Sequence, residues 1–581
     1  MNYRPFVNIL KLTILQIFIL SNIISADVRY VSKTGTSQFP YTSWETAADS
    51  IPKCIKACNN GDTIYVANGI YKDSLYIDKE ISLIGSSMDS TIIDGTGLGY
   101  VTIEIQAKTT IKYFTIYGLA LNSGRGLRCY QPLNISLCKI SNCGAGISTI
   151  GVPCIMNNVI IINSGVGFDG GCISDTCNYF ITNSMIVLSS NGSFGIGTNL
   201  GGNYFINNNI LIYFGTNPDY GISLDWPHRA ELSNNLVSGY SVGIYFDTIE
   251  DSGFVKNNIV AHNTYCGIAI GSTRENIENT MIISNPTGIL SLLSQEVSHN
   301  SNYNIFWNNN IDLHGLIVHG DSDWVADPMF MKDTYPNPQL DFDYHLQAFS
   351  PGINKGNPSI LNKDLSRSDI GMYGGFLGET YKYDDLAPKP PRNLSAVIDS
   401  LITIKWDKNT EADTSYYNIY RDTIPGFTID PSKGISRQKD TSFVQLLLHN
   451  TRHLYYKLTA EDKTGHVSAP SAELTVTLNS IGNNYSVIND YHLYQNYPNP
   501  FNPTTTISYQ LKEKSYAKLM VYDITGRLIK VLANETKESG YYETDFNAKG
   551  LASGIYLYRI EVIGKGNIPV FSDMKKCVLI K

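Results

Sequence analysis

Charge is scarce in this chain: Asp, Glu, Lys and Arg together make up only 17% of its 581 residues. That speaks against solvated, salt-bridged helices, and the abundance of Gly, Asn, Ser, Thr and Tyr favours short strands and tight turns. Positive charge is especially short, leaving a formal net charge of -8. A general nucleic-acid binder draws its affinity from Lys and Arg on phosphates, so no nucleic-acid partner is expected. CxxC pairs are missing, which excludes the usual zinc sites, and the ten cysteines follow no disulfide framework. Six of them, Cys129, Cys138, Cys143, Cys154, Cys172 and Cys177, read as small buried apolar side chains.

Long apolar runs are also lacking after the N-terminus, so no transmembrane segment is expected in the mature chain. The early run follows Arg4 and Lys11, extends from Leu12 to Ile24 with breaks at Gln16, Ser21 and Asn22, and closes on Ser25-Ala26. A spanning helix needs about 20 apolar residues. This shorter run reads as a signal peptide over residues 1–26, cleaved near Ala26.

What is present is a repeat. Gly146-Ile147, Gly171-Cys172, Gly195-Ile196, Gly221-Ile222, Gly243-Ile244, Gly267-Ile268 and Gly288-Ile289 recur about every 24 residues. Between them falls a second segment of Asn followed by apolar residues, as in Asn208-Asn209-Ile210, Asn234-Asn235-Leu236 and Asn257-Asn258-Ile259. A leucine-rich repeat would need a fixed leucine frame, so two short strands per coil point to a parallel β-helix whose inward residues stack from coil to coil. Alternation places Ile222, Leu224, Ile244, Phe246, Ile268 and Ile270 inside, with Ser223, Tyr245 and Ala269 outside. Asn142, Asn163, Asn263 and Asn285 are expected to stack their amides along a turn. The open ends need covers. An amphipathic helix from Thr42 to Cys58 with Trp44 on its apolar face, and the irregular stretch from Ala326 to Gly375, are expected to supply them.

Three resemblances then become specific. Tyr30-Val31-Ser32, Trp44, Gly61-Asp62-Thr63-Ile64-Tyr65-Val66, Gly69-Ile70-Tyr71 and Ile81-Ser82-Leu83-Ile84-Gly85 resemble the opening of right-handed β-helix proteins of the pectin-lyase-like superfamily. The run Asp343-Tyr344-His345-Leu346, Ser350-Pro351-Gly352 and Asp369-Ile370-Gly371 resembles their closing cap. Ile402-Thr403-Ile404-Lys405-Trp406, Tyr417-Asn418-Ile419-Tyr420-Arg421 and Tyr456-Lys457-Leu458 are similar to a fibronectin type III domain, with Trp406 its core aromatic. From Tyr491, the stretch Tyr497-Pro498-Asn499-Pro500-Phe501-Asn502-Pro503 and the terminal Lys575-Lys576 resemble the C-terminal sorting domain of type IX secretion cargo. The expected fold class is all-β, a right-handed parallel β-helix followed by two small β-sandwich domains. The expected boundaries are 27–380 for the β-helix, 387–479 for the fibronectin type III domain and 491–581 for the sorting domain. The last resemblance implies type IX secretion machinery as a partner and a secreted or cell-surface destination.

Aligning coils on the glycine puts Asp175, Asn199, Asp225 and Asp247 in one acidic column. Asp225, Asp247, Arg229 and His228 are the candidate catalytic residues, since carboxylates one coil apart suit acid/base hydrolysis and an Arg or His suits a uronate lyase. Tyr245 and Trp226 are the candidate sugar-stacking residues. Asp175, Asp247, Glu250 and Asp251 are candidate ligands for calcium, which takes several carboxylate oxygens, and Arg274 lies in the next loop. The resulting expectation is a surface protein that binds polysaccharide along the outer face of the β-helix. Its enzymatic version is a polysaccharide lyase or glycoside hydrolase, and its alternative is a non-catalytic adhesin or structural stalk.

Overall fold

The computed structural model describes residues 26–119, 124–172, 174–189, 194–198, 201–271, 275–293, 300–334, 341–399, 401–446, 453–478, 490–564 and 568–580. The signal-peptide run, Asn199 and Arg274 lie outside them. Among the described residues, no helix is long and apolar enough to cross a membrane. The chain divides into two units, Met1–Leu346 with Ser350–Tyr383, and Gln347–Phe349 with Asp384–Lys581.

The first unit is a parallel β-solenoid. Its strands form an 11-stranded and a 22-stranded sheet in which each strand pairs with its copies in the coils before and after. Thus Tyr220–Leu224 pairs in parallel with Val242–Phe246, which pairs with Cys266–Ile270, and Ile222, Ile244 and Ile268 fall in one column. All three isoleucines, with Leu224, Phe246 and Ile270, are fully buried as the alternation requires. Each such side chain contributes roughly 1.5–3 kcal/mol through burial. The repeat glycine has a steric cause: a Cβ on Gly221, Gly243 or Gly267 would lie 2.5, 2.6 or 2.7 Å from the carbonyl oxygen of the glycine one coil on.

That steric test corrects the register of one coil. Gly167, whose Cβ would meet the Gly195 oxygen at 2.4 Å, holds the column position assigned above to Gly171. Phe168 accordingly pairs with Ile196, and Asp175 leaves the acidic column.

The Asn-Asn pairs divide two tasks. The first residue turns the corner in the left-handed region, with φ of 57° at Asn208, 58° at Asn234 and 52° at Asn257, a conformation that Asn tolerates better than most residues. The second residue stacks inside. Asn209 Nδ2 donates to Asn235 Oδ1 at 3.0 Å, and Asn235 Nδ2 donates to Asn258 Oδ1 at 2.9 Å, all three fully or almost fully buried. A second ladder runs from Asn263 to Asn285 to Asn309. Of the four asparagines expected to stack, Asn263 and Asn285 do. Asn142 and Asn163 instead occupy left-handed corners (φ 57° and 52°) one residue ahead of the stacking position.

Both covers differ from expectation. The N-terminal helix is only Ile51–Ala57, started by Pro52 in its first turn and burying Ile51, Cys54 and Ile55. Upstream, reciprocal Ser43 and Thr46 backbone–hydroxyl bonds form a turn, and Trp44 is 44% exposed. At the other end the chain folds back along the flank of the solenoid. Phe330, Tyr344, Leu346 and Ile370 share a core with Ile212, Leu236, Ile259, Met281 and Ile305 from successive coils. The corner asparagines hold this return segment: Asn234 donates to the Met372 and Gly374 carbonyls at 2.8 and 2.6 Å, and Asn257 to that of Asp369 at 2.8 Å. Four of the six early-coil cysteines are free and buried, whereas Cys172 and Cys177 form a disulfide. The small apolar reading fails for that pair because the two thiols, with only four residues between them, are brought together.

In the second unit, residues 395–477 form a sandwich of a three-stranded and a four-stranded antiparallel sheet. Trp406 is buried in its core with Tyr417 at 5.3 Å between ring centroids, and Tyr456 is fully buried beside them. Residues 492–579 form another sandwich of three and four strands with a core of their own.

Candidate functional site

The outer face of the 11-stranded sheet carries a cleft of about 490 Å³ lined by Phe194, Tyr220, Ser223, Asp225, Trp226, Tyr245 and Asp247. Strand register builds it. Gly197, Ser223 and Tyr245 occupy successive coils in one outward column, and Phe194 and Tyr220 occupy two in a second. The rings of Phe194 and Tyr220 stack at 5.7 Å with 16° between planes, and Tyr220 and Tyr245 lie 5.2 Å apart. The parallel ladder continues one step past the strands: the Asp225 N–H donates to Thr198 O at 3.4 Å, and the Asp247 N–H to Leu224 O at 3.3 Å. Asp225 and Asp247 therefore stand one coil apart, about 4.8 Å along the solenoid. Two unit charges at that separation repel by roughly 3 kcal/mol at an effective dielectric near 20.

Local contacts fix the rim. Trp226 turns the chain at φ 53°, keeps its ring 57% exposed, and donates Nε1–H to Asp247 Oδ2 at 2.7 Å. Burial, and then the Asp247 charge, push the Asp225 carboxyl above its usual range. Burial raises the Tyr245 and Tyr220 phenols as well, aided by Asp247 and Asp219 respectively, so both remain neutral donors. Because folded Asp225 holds its proton more tightly than the unfolded chain does, stability falls as pH rises from the ordinary carboxylate range through the raised native value. Asp225→Asn removes that loss. Its Tm is expected to exceed the parent's at neutral pH and to converge with it in acid; a gap constant across pH would refute the assignment.

The other sequence candidates lie apart from the cleft. The Pro227 turn carries His228 and Arg229 toward the 22-stranded sheet, where His228 Nδ1 sits 3.4 Å from Glu250 and Arg229 pairs with Glu231 over the Phe205 ring. They do not line the cleft. Asp251 accepts from the Ser252 hydroxyl in that same turn region. Asp175, exposed within the Cys172–Cys177 loop, follows the strand Val166–Gly171, three coils before Asp247. Asp175, Asp247, Glu250 and Asp251 consequently do not converge as calcium ligands. Among the described residues, the His, Cys, Asp and Glu group with ligand atoms within 4.8 Å of one another is Asp385, Asp462 and His466, in the second unit. Phe194 and Tyr220 escaped the sequence reading, although each directly precedes a repeat glycine, a position that stacks just as the glycines do.

Residues 495–567 match the secretion system C-terminal sorting domain family. No curated protein matches the chain. Solved structures similar to parts of it include a Fn3-like protein from Clostridium thermocellum, at 24% identity over 17% of this chain and 99% of that one, with a TM-score of 0.14. The FN1–FN3 domains of chicken CNTN1 match at 13% identity over 33% of this chain and 66% of that one, with a TM-score of 0.13. The sorting-domain match marks this chain as one exported by the type IX system, to the cell surface or the medium.

Proposed function

We propose that this exported protein binds polysaccharide in the cleft on the outer face of its solenoid. The observation that carries the reading is the placement of four aromatic rings beside two carboxylates in one open groove. Sugar faces stack on rings of this kind, and carboxylates accept hydroxyl hydrogen bonds. Titration calorimetry of the full-length chain against a panel of neutral and charged polysaccharides tests it. Tyr245→Ala and Trp226→Ala are each expected to weaken binding by about tenfold or more, some 1.4 kcal/mol. Undiminished affinity in both variants would remove the cleft as the binding site, and silence across the panel would favour the stalk.

Hydrolysis is a second reading, favoured by the proton-retaining Asp225 beside Asp247. Their coil spacing of about 4.8 Å is close to the roughly 5–5.5 Å between carboxyl groups in retaining glycosidases. New reducing ends that vanish in Asp225→Asn and in Asp247→Asn would support it. A uronate lyase is the weaker version, because no Lys, Arg or His among the described residues lines the cleft.

A further inference from the structure

We infer that the sugar held in this cleft carries a free ammonium group, so that the polymer is an amino sugar with unacetylated amines. The inference rests on the saccharide reading above and names its ligand class. Its first ground is charge. Asp225 and Asp247 line the cleft with no basic partner among the described lining residues, and Asp219 precedes Tyr220 at its edge. Acid elsewhere on the same face is compensated: Asp169, one coil before Gly197 in the outward column, lies beside Arg125. Among the described lining residues the negative charge of the cleft is unbalanced. It disfavours a uronate and favours a cation.

The second ground is the kind of cation. A metal ion would need several convergent oxygens, but one oxygen of Asp247 is occupied by the Trp226 indole and most of the remaining wall is aromatic. Phe194 and Trp226 offer a metal no ligand atom, and the neutral hydroxyls of Tyr220 and Tyr245 are poor ones. Aromatic rings do attract ammonium groups, which sit over the faces of Trp, Tyr and Phe while a nearby carboxylate supplies the counter-charge. Phe194, Tyr220, Tyr245 and Trp226 provide those faces, and Asp225 and Asp247 the counter-charge. The third ground is shape. Ser223 makes a low floor among the rings, and the lining residues come from three successive coils, so the cleft runs along the solenoid axis. A linear hexosamine lying along that axis would bring an amine against the Asp225–Asp247 pair, whose carboxylates stand one coil apart.

The test is calorimetric titration of the full-length chain, in slightly acidic buffer, with four probes: a fully deacetylated glucosamine tetramer, its fully N-acetylated counterpart, a neutral β-1,4-glucose tetramer and tetramethylammonium chloride. The deacetylated tetramer is expected to bind about tenfold or more tightly than the acetylated one, with tetramethylammonium competing weakly. The double variant Asp225→Asn, Asp247→Asn should abolish that preference, bringing the two glucosamine tetramers to equal affinity. Equal affinity for the two glucosamine tetramers would overturn the inference and leave saccharide binding standing. A preference that survives in the double variant would overturn it too, since it would then reflect attraction of a polycation to an acidic protein. Binding of tetramethylammonium with no sugar bound would sink both the amino sugar and the saccharide reading.

Discussion

Deleting the chain from Tyr491 onward leaves the protein in the periplasm, folded through its solenoid but missing from the surface and the medium. The expectation follows from two findings. Residues 495–567 match a sorting domain, and residues 492–579 form a sandwich with its own hydrophobic core. Its proline-rich loop is pinned to the last strand: the Phe501 N–H donates to Val578 O at 2.9 Å, the Ile580 N–H to Phe501 O at 3.0 Å, and the Val578 N–H to Asn499 Oδ1 at 2.8 Å. Asn496 anchors the entry to this loop by donating its N–H to the Tyr558 hydroxyl at 2.7 Å. Cell fractionation followed by immunoblotting decides the matter. Surface or medium levels equal to those of the full chain would refute the sorting assignment, whereas periplasmic retention with native protease resistance would show that export, not folding, was lost.

The largest stability effect is expected from the centre of the buried amide ladder. Asn235→Leu keeps similar bulk but strips Ile206 O, Asn209 N–H and Asn209 Nδ2 of a partner at once. Each stranded buried polar group costs about 1–3 kcal/mol, so the loss for three is about 3–9 kcal/mol, comparable to the whole stability of many domains. Denaturant titration of the variant would show it as a lower midpoint. Asn208→Gly at the neighbouring corner is expected to be nearly neutral, because glycine also adopts the left-handed conformation found there. If the two variants were equally destabilised, the division of labour within the Asn-Asn pairs would be wrong.

The solenoid was legible in the sequence because its constraints are periodic. A glycine within one strand and an Asn corner, often an Asn-Asn pair, recur from coil to coil, and the alternation of Ile222 and Leu224 around Ser223 states which way each side chain points. Legibility failed where the chain departs from its period. Gly171 follows the motif as well as Gly167 does, and only the approach of the Gly195 carbonyl separates them. Helical spacing from Thr42 to Cys58 was overridden by the Ser43–Thr46 turn and by Pro52, which fits the first turn of a helix but has no N–H with which to continue one arriving from upstream. Asp225, Asp247, Tyr245 and Trp226 were found as neighbours because turns in register stack. His228 and Arg229 were misplaced because a corner at Pro227 carries both away from the face that Trp226 occupies, a change of direction that sequence proximity conceals.

The return segment along the flank has a consequence for the order of events in folding. A bare solenoid depends on nearest neighbours and can gain or lose coils at its ends. Here the coils of Asn234, Asn257 and Asn279 are completed by hydrogen bonds with residues 368–374, made of chain that is synthesised long after them. Those coils reach their full set of partners only when the return segment arrives. A nascent chain is thus denied its last locking contacts during the interval in which an exported protein must stay threadable, and once they form, the C-terminal coils can no longer fray one at a time.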